Sequence, residues 1–461
     1  MSRYTSATES DRSEMLRTIG VASLAELFAD IPDHLRLERP LDLDPGRSEL
    51  EVYEELRALA GRNTSTEDEL CFLGAGMYDH YVPALIDSII SRSEFLTPYT
   101  PYQPEVSQGG LQAMFEYQTA ICELTGLPVS NASVYEGPSA VAAAGYVAKL
   151  AHDQPSRSRF VVSRGVHPHS RQALATLAHG WDMEVIEAPL HDGVTELPEL
   201  DADVSAVIVQ QPNFLGAIED LESLAEAAHD AGALCVAACD PLPLSLLRAP
   251  GDCGVDVAVG EGQTLGNRLD FGGPSFGFFA ATEALIRRVP GRIAGETVDA
   301  EGRRGFVLTL QTREQHIRRE KATSNICTAQ ALNALAGVIY LSWLGRHGIV
   351  ELTELMLQRT AYARERLTAV AGVHALHDQP VVREFALTLD APVQAVIDRC
   401  AAQGINPGYP LGRDYPEHAN GLLVAITEKR TRGHIDRLAA ALGEAVAAER
   451  SRDADPAGAT R

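Results

Sequence analysis

Lysine is nearly missing from this chain of 461 residues. Only Lys149, Lys321 and Lys429 occur, and arginine supplies the rest of the 39 basic residues. Chemistry that needs an amine nucleophile therefore has three candidate residues. Long apolar runs are also missing. The best, Ala334 to Leu344, falls well short of the ~20 residues of a membrane helix and contains Ser342. Basic clusters are scarce, and 63 acidic residues bring the net charge to -24. That balance excludes a phosphate-tracking surface, so neither nucleic acid nor an anionic membrane is an expected partner. The first residues, MSRYTSATESDR, contain no signal-peptide core. Seven cysteines are scattered without a CxxC pair and read as reduced, mostly buried thiols of a cytoplasmic protein. His167 and His169 lack Cys or carboxylate company, so no metal is expected.

What is present is a long alternation. After a polar start expected to be disordered (1–12) come helical spacings over Ser13–Ala29 and Leu50–Ala60. Phe72–Gln108 is rich in Gly, Pro and Tyr and reads as a structured arm. Helical patterns follow at Leu111–Thr125 and Ser139–His152. Short β-rich runs then occur at Phe160–Val162, Met183–Ile186, Val204–Val209, Leu234–Ala237, Val255–Val259 and Gly277–Ala280, with helices Ser170–His179 and Asp220–Ala231 among them. Such alternation predicts a mostly parallel sheet with helices on both faces. Two helices, Thr328–Leu344 and Ile349–Val370, lead into a strand–helix–strand–helix pattern that predicts a smaller α/β domain. The expected boundaries are 13–110 for N-terminal helices and arm, 111–327 for the large domain, 328–449 for linking helices and small domain, and 450–461 for a disordered tail.

Four segments could carry chemistry, one of them Thr309–Thr328, a dense polar run that reads as a solvated face or, through Thr323, Ser324, Asn325 and Thr328, as a cap of the next helix that lines a site. Asn131–Ser139 opens a helix with small residues, a place where backbone N–H groups can hold a phosphate. Glu136 sits at that end, however, and a carboxylate complements the dipole and repels phosphate. A helix cap without ligand is the favoured reading. Val255–Gln263 is a strand running into a Gly-rich turn that ends at Phe271-Gly272-Gly273-Pro274. No lysine occupies it. His167, just after a strand, reads equally as a ring that stacks on a cofactor or as a polar residue at a helix start.

Several long segments closely resemble the P-protein of the glycine-cleavage system. They are Phe72–Tyr78, Leu96–Gly109, Asn131–Ser133, Gly291–Asp299 and Gly302–Thr328, and the likeness spans roughly residues 13 to 449. The resemblance implies an aspartate-aminotransferase-like fold, the fold type I of pyridoxal-phosphate enzymes. Some family members are one long chain and others split into two subunits; this chain resembles the separate N-terminal-type (alpha) subunit. In the C-terminal-type subunit a Schiff-base lysine precedes a Thr and a Gly-rich run. Here Gln263 stands at that position, before Thr264. The Asp that would pair with a pyridinium nitrogen has its nearest counterpart in Asp240, displaced by about two positions.

The resemblance implies that a beta subunit carries the pyridoxal phosphate and that none is bound covalently to this chain. Together, as an expected alpha2beta2 assembly, they would decarboxylate glycine and pass the aminomethyl group to the lipoyl arm of the H-protein. Tyr78, Tyr99, Tyr102, Gln103, Glu105 and His167, with Arg313 and Asn325, are the candidates for shaping the partner's site. Two alternatives stay open: a self-sufficient pyridoxal-phosphate decarboxylase or lyase using Lys321, and a scaffold that only stabilises the partner.

Overall fold

The computed structural model describes residues 6–152 and 157–454. They fall into two compact units, Met1–Thr64 and Ser65–Arg461. In the first, helix Glu9–Ile19 begins on a capping box: the Thr8 hydroxyl accepts from the Asp11 N–H, and the Asp11 carboxylate accepts from the Thr8 N–H. The helix starts ahead of the expected Ser13, so residues 9–12 are helical and not a disordered end. It stops at Gly20, whose φ of 89° turns the chain out of the helix. The helix expected over Ser13–Ala29 is therefore two elements, the second being the short 3-10 turn Leu24–Phe28. Residues 1–5 and 455–461, from the expected disordered ends, lie outside the described residues. At the other end, helix Arg432–Ala454 runs past the expected limit at 449.

The second unit is built on a seven-stranded sheet. In chain order its strands are β1 Val129–Ser130, β2 Arg159–Ser163, β3 Glu184–Ala188, β4 Val204–Gln211, β5 Leu234–Cys239, β6 Val257–Glu261 and β7 Gly277–Ala281. Across the sheet the order is β1-β7-β6-β5-β4-β2-β3. The ladders from β6 through β3 are parallel, and β7 is antiparallel to both of its neighbours. Strand β4 explains the burial. Its alternate residues Val207 and Val209 enter one apolar cluster, and Ala206 and Ile208 enter the other. A strand covered on both faces must be apolar at every position, which is why these runs read as continuous apolar stretches. On one side lies helix Gln108–Thr125, on the other the Ala-rich helix Gly137–Ala151.

One rod joins the large domain to the small one. Helix Ala331–Thr368 is interrupted at Gly345, with φ 62° and ψ -178°, so the two expected helices follow each other with a single break. The small domain holds a four-stranded sheet in the order Val373–Ala375, Glu384–Leu389, Gly421–Ala425, Tyr409–Pro410, all antiparallel. Helices Val393–Ala401 and Arg432–Ala454 bury their apolar faces with it. Part of the region from 291 to 310 forms a hairpin, Ile293–Val298 with Arg304–Thr309. Gln118 pins it to the helix beneath, donating to the Ala294 carbonyl and accepting from the Ala294 N–H.

Gly216 lets the turn after β4 touch the small-domain strand. Its φ is 89°, and a Cβ there would stand 2.0 Å from the Glu384 carbonyl oxygen. Gly216→Ala should therefore destabilise the protein by about 2–4 kcal/mol, seen as a lowered thermal midpoint. An unchanged midpoint would mean that the two segments are not held in contact.

Candidate active-site cavity

The carboxyl ends of four parallel strands converge on one cavity of about 560 Å³. His167 follows β2, Gln210 and Asn213 end and follow β4, Asp240 follows β5, and Glu261 ends β6. This is where open α/β sheets hold their ligands. The Ala75–Tyr78 loop, the start of helix Gly137–Ala151 and Val382–Glu384 of the small domain complete the wall.

The helix reaches the cavity through a strained turn. Ser133 is fully buried with φ 100°, and the Asn131 side chain holds it there by accepting from the Ser133 N–H and donating to the Pro290 carbonyl. The helix end that follows is already filled. Glu136 is the N-cap and accepts from the Ser139 N–H at 3.0 Å. Glu261 reaches across from β6 and accepts from the Gly137 N–H at 2.9 Å. Ser275 and the Gln263 N–H also donate to Glu261. Burial nevertheless pushes its carboxyl above the ordinary range. Two carboxylates thus take the N–H groups that a phosphate would need, and their charge opposes one.

Gln263, which the resemblance aligns with the other subunit's lysine, is equally spent. Gln263 is 1% exposed and does not line the cavity. Its Oε1 accepts from the Tyr78 N–H at 2.9 Å, and its Nε2 donates to the carbonyls of Tyr78 and Asn267 at 3.1 and 2.9 Å. The amide ties the Gly-rich turn to the Ala75–Tyr78 loop. All three lysines lie away from the cavity wall: Lys149 bonds the Trp181 carbonyl, Lys429 pairs with Asp79, and Lys321 is exposed.

Asp240 does not face a free ring position. Arg383 pairs with it at 2.5 Å, lies 3.4 Å over the centroid of the Tyr78 ring, and donates to His80 Nε2 at 2.6 Å. Beside it, Glu384 accepts from the Tyr78 hydroxyl and from the Ala75 N–H, each at 2.7 Å. Burial pushes the Glu384 carboxyl up to about 7. His167 meets the Ala75 carbonyl through Nε2 at 2.9 Å, accepts from the His169 N–H through Nδ1, and packs edge-on to Phe214. Burial lowers its pKa to about 4, so the ring is neutral and braces the Ala75 loop. These residues do not fit pyridoxal phosphate: the amine is missing, the helix end is anionic, and the acid beside the ring position is paired.

Comparisons with known proteins decide the family. Residues 2–442 match the family described as "Glycine cleavage system P-protein". A protein from Geobacillus kaustophilus named "Probable glycine dehydrogenase (decarboxylating) subunit 1" is 49% identical, over 96% of this chain and 99% of its own length. A Bacillus subtilis protein of the same name is 48% identical over the same shares. A crystal structure of glycine decarboxylase (P-protein) in inhibitor-bound form superposes with a TM-score of 0.88 at 46% identity, covering 96% of this chain and all of that one. The chain belongs to the glycine cleavage system P-protein family. A sphingosine-1-phosphate lyase from Burkholderia pseudomallei, 17% identical with a TM-score of 0.65, covers 90% of this chain and 94% of its own; it shares the fold.

Three of the eight site residues expected from the sequence line one of two cavities. Tyr78 and His167 line the cavity just described. Tyr99 lines a second groove of about 630 Å³, between the 94–110 segment and the start of helix Ala331–Thr368, and Gln330 borders both. Tyr99 is exposed and accepts from the Thr328 hydroxyl at 2.9 Å. Tyr102, Gln103, Glu105 and Asn325 are exposed and line neither. Arg313 is buried, and its guanidinium donates to the carbonyls of Val289, Leu310 and Gly291. It is a strut for the 289–310 segment.

Sequence reasoning missed Arg383, Glu384 and Phe271. Phe271, at φ 57°, stands 99% exposed on the Gly-rich turn beside the cavity. An aromatic residue next to the Gly272-Gly273 pair was the available signal.

Two outcomes follow. Gln263→Lys should show no Schiff-base absorbance with added pyridoxal phosphate, because Glu136, Glu261 and the Arg383–Asp240 pair remain; a visible band would mean that only the amine was lacking. Glu384 keeps its proton in the folded state up to about pH 7, whereas an unfolded Glu loses it near ~4.3. Its contribution to stability therefore falls as pH rises through that window, reaching a cost on the order of 3 kcal/mol above it. Glu384→Gln should raise the thermal midpoint at about pH 8 and change it less at about pH 5. Equal shifts at both would contradict the assignment.

Proposed function

We propose that this chain is the alpha subunit of the glycine cleavage P-protein, a glycine dehydrogenase (aminomethyl-transferring, decarboxylating), and acts only with a beta subunit that holds the pyridoxal phosphate. The observation that carries the proposal is a cavity in the fold's ligand position that no lysine lines, whose helix end holds Glu136 and Glu261 and whose adjoining Gly-rich turn has Gln263 buried in hydrogen bonds to backbone. The names of the relatives, each a "subunit 1", support a second subunit. In this reading pyridoxal phosphate held by the partner would supply the electron sink for loss of CO2 from glycine. The aminomethyl group then passes to the lipoylated H-protein. A self-sufficient decarboxylase through Lys321 is not favoured, because that residue is exposed and off the cavity wall.

What this chain would contribute is shape and polar contact at a shared boundary. Tyr99, Tyr102, Gln103 and Glu105 lie on one exposed segment beside the apolar groove. The groove walls, among them Leu96, Met114, Leu332 and Leu335, suit a protein surface. Phe271 would extend the same boundary. A stoichiometry of alpha2beta2 and a cytoplasmic location complete the proposal. The free state of all seven cysteines supports a reducing compartment. Among the described residues no helix is long and apolar enough to cross a membrane.

Tyr102→Phe, Gln103→Ala and Glu105→Gln are each expected to lower kcat for glycine decarboxylation by ~10-fold or more in the reconstituted complex, since small misplacements at a reacting centre are costly. Phe271→Asp should weaken subunit association in sedimentation. Full activity in all three kcat variants, with association intact, would leave a scaffold role instead.

A further inference from the structure

We propose that the cavity is a binding site for a small cationic molecule, an ammonium group carrying a hydrogen-bonding function a few atoms away. This goes beyond the role assigned to the subunit and rests on the reading that pyridoxal phosphate is held by the partner.

The walls have the sign for it. Glu136, Asp240, Glu261 and Glu384 line the cavity, and Arg383 is the one arginine or lysine among the lining residues. Arg383 is already paired with Asp240 and stacked on Tyr78. Glu136 and Glu261 receive hydrogen bonds but no cation, and Glu384, protonated up to about pH 7, adds a polar carboxyl and not a charge. Glu136 receives its bonds at Oε1, from the N–H and hydroxyl of Ser139, and Oε2 is left for a ligand. His167 is neutral and adds no positive charge. An anion entering here would meet uncompensated carboxylates; an ammonium would complete them.

Two buried polar groups point to a ligand as well. Thr264 is 1% exposed, belongs to the wall, and its Oγ1 has no hydrogen-bond partner. Arg383 is 3% exposed, and its Nε–H is likewise without a partner. Buried polar atoms are normally paired, so a hydroxyl or carbonyl on the ligand would satisfy what the chain leaves open. Tyr135 supplies aromatic wall, and aromatic faces favour organic cations. The volume, about 560 Å³, lies within the range of small-molecule sites.

The test uses the reconstituted complex, with choline as probe. Its quaternary nitrogen cannot react with an aldehyde cofactor in the partner. The control is dimethylbutanol, the neutral isostere in which carbon replaces the nitrogen. Calorimetry should show choline binding at one site per copy of this chain, at least ~10-fold more tightly than the isostere. The Glu136→Gln, Glu261→Gln double variant should bring the two probes to similar affinity. Thr264→Val should weaken both. Equal affinities in the unaltered complex, no choline binding, or choline binding that survives in the double variant would each overturn the proposal. If pyridoxal phosphate is found in this cavity, both this proposal and the functional reading fail. If it is confined to the partner while choline does not bind, only this proposal fails.

Discussion

A helix amino end offers a few unpaired N–H groups and about half a positive charge, and it can satisfy one set of anionic groups at a time. In this chain the set is internal. Glu136 caps helix Gly137–Ala151 from its own sequence, and Glu261 arrives from the end of β6 to take the Gly137 N–H. Gly137 sits so close to Glu261 that a Cβ on it would lie 3.1 Å from the Glu261 Cβ. The polar pairings around the cavity are internal in the same way: the loop at Ala75–Tyr78 is held by Gln263, and Arg383 pairs with Asp240.

The fold is kept because its stability does not pass through the cofactor position. Strands β2, β4, β5 and β6 bury alternate residues in two apolar clusters, one on each face. The polar groups at the strand ends are then free to change chemistry. Glutamine at 263 gives three hydrogen bonds to backbone groups where the resemblance implies a reactive amine in the other subunit. The glutamine is a brace between two loops. His167 is a brace of the same kind, with both ring nitrogens engaged by the backbone.

Much of this was legible in the sequence. Apolar runs spaced by helices marked the parallel sheet, since a doubly covered strand has no polar face. The carboxylate at Glu136 was a local fact that needed no structure, and the resemblance implied that Gln263 stands where the other subunit has a lysine. Other features were hidden because they are pairings across long stretches of chain. Arg383 and Asp240 meet only after the small domain folds back on the sheet, and nothing near either residue signals the other. Glu384 looked like an ordinary strand residue until burial against Tyr78 set its proton affinity. Arg313 stood in a dense polar run that reads as a solvated face, yet it is buried with its donors on three carbonyls. The Gly20 stop was missed because the apolar spacing continues beyond it, and spacing alone does not register a left-handed residue.

The central claim is that the retained fold holds no cofactor and works beside a subunit that does. Borohydride reduction of the active, reconstituted complex, followed by mass measurement of each separated chain, tests it most directly. The account predicts a pyridoxyl adduct on the partner and an unmodified mass for this chain, with Lys149, Lys321 and Lys429 all unlabelled. A pyridoxyl group on any of these three lysines, in a complex that decarboxylates glycine, would contradict it.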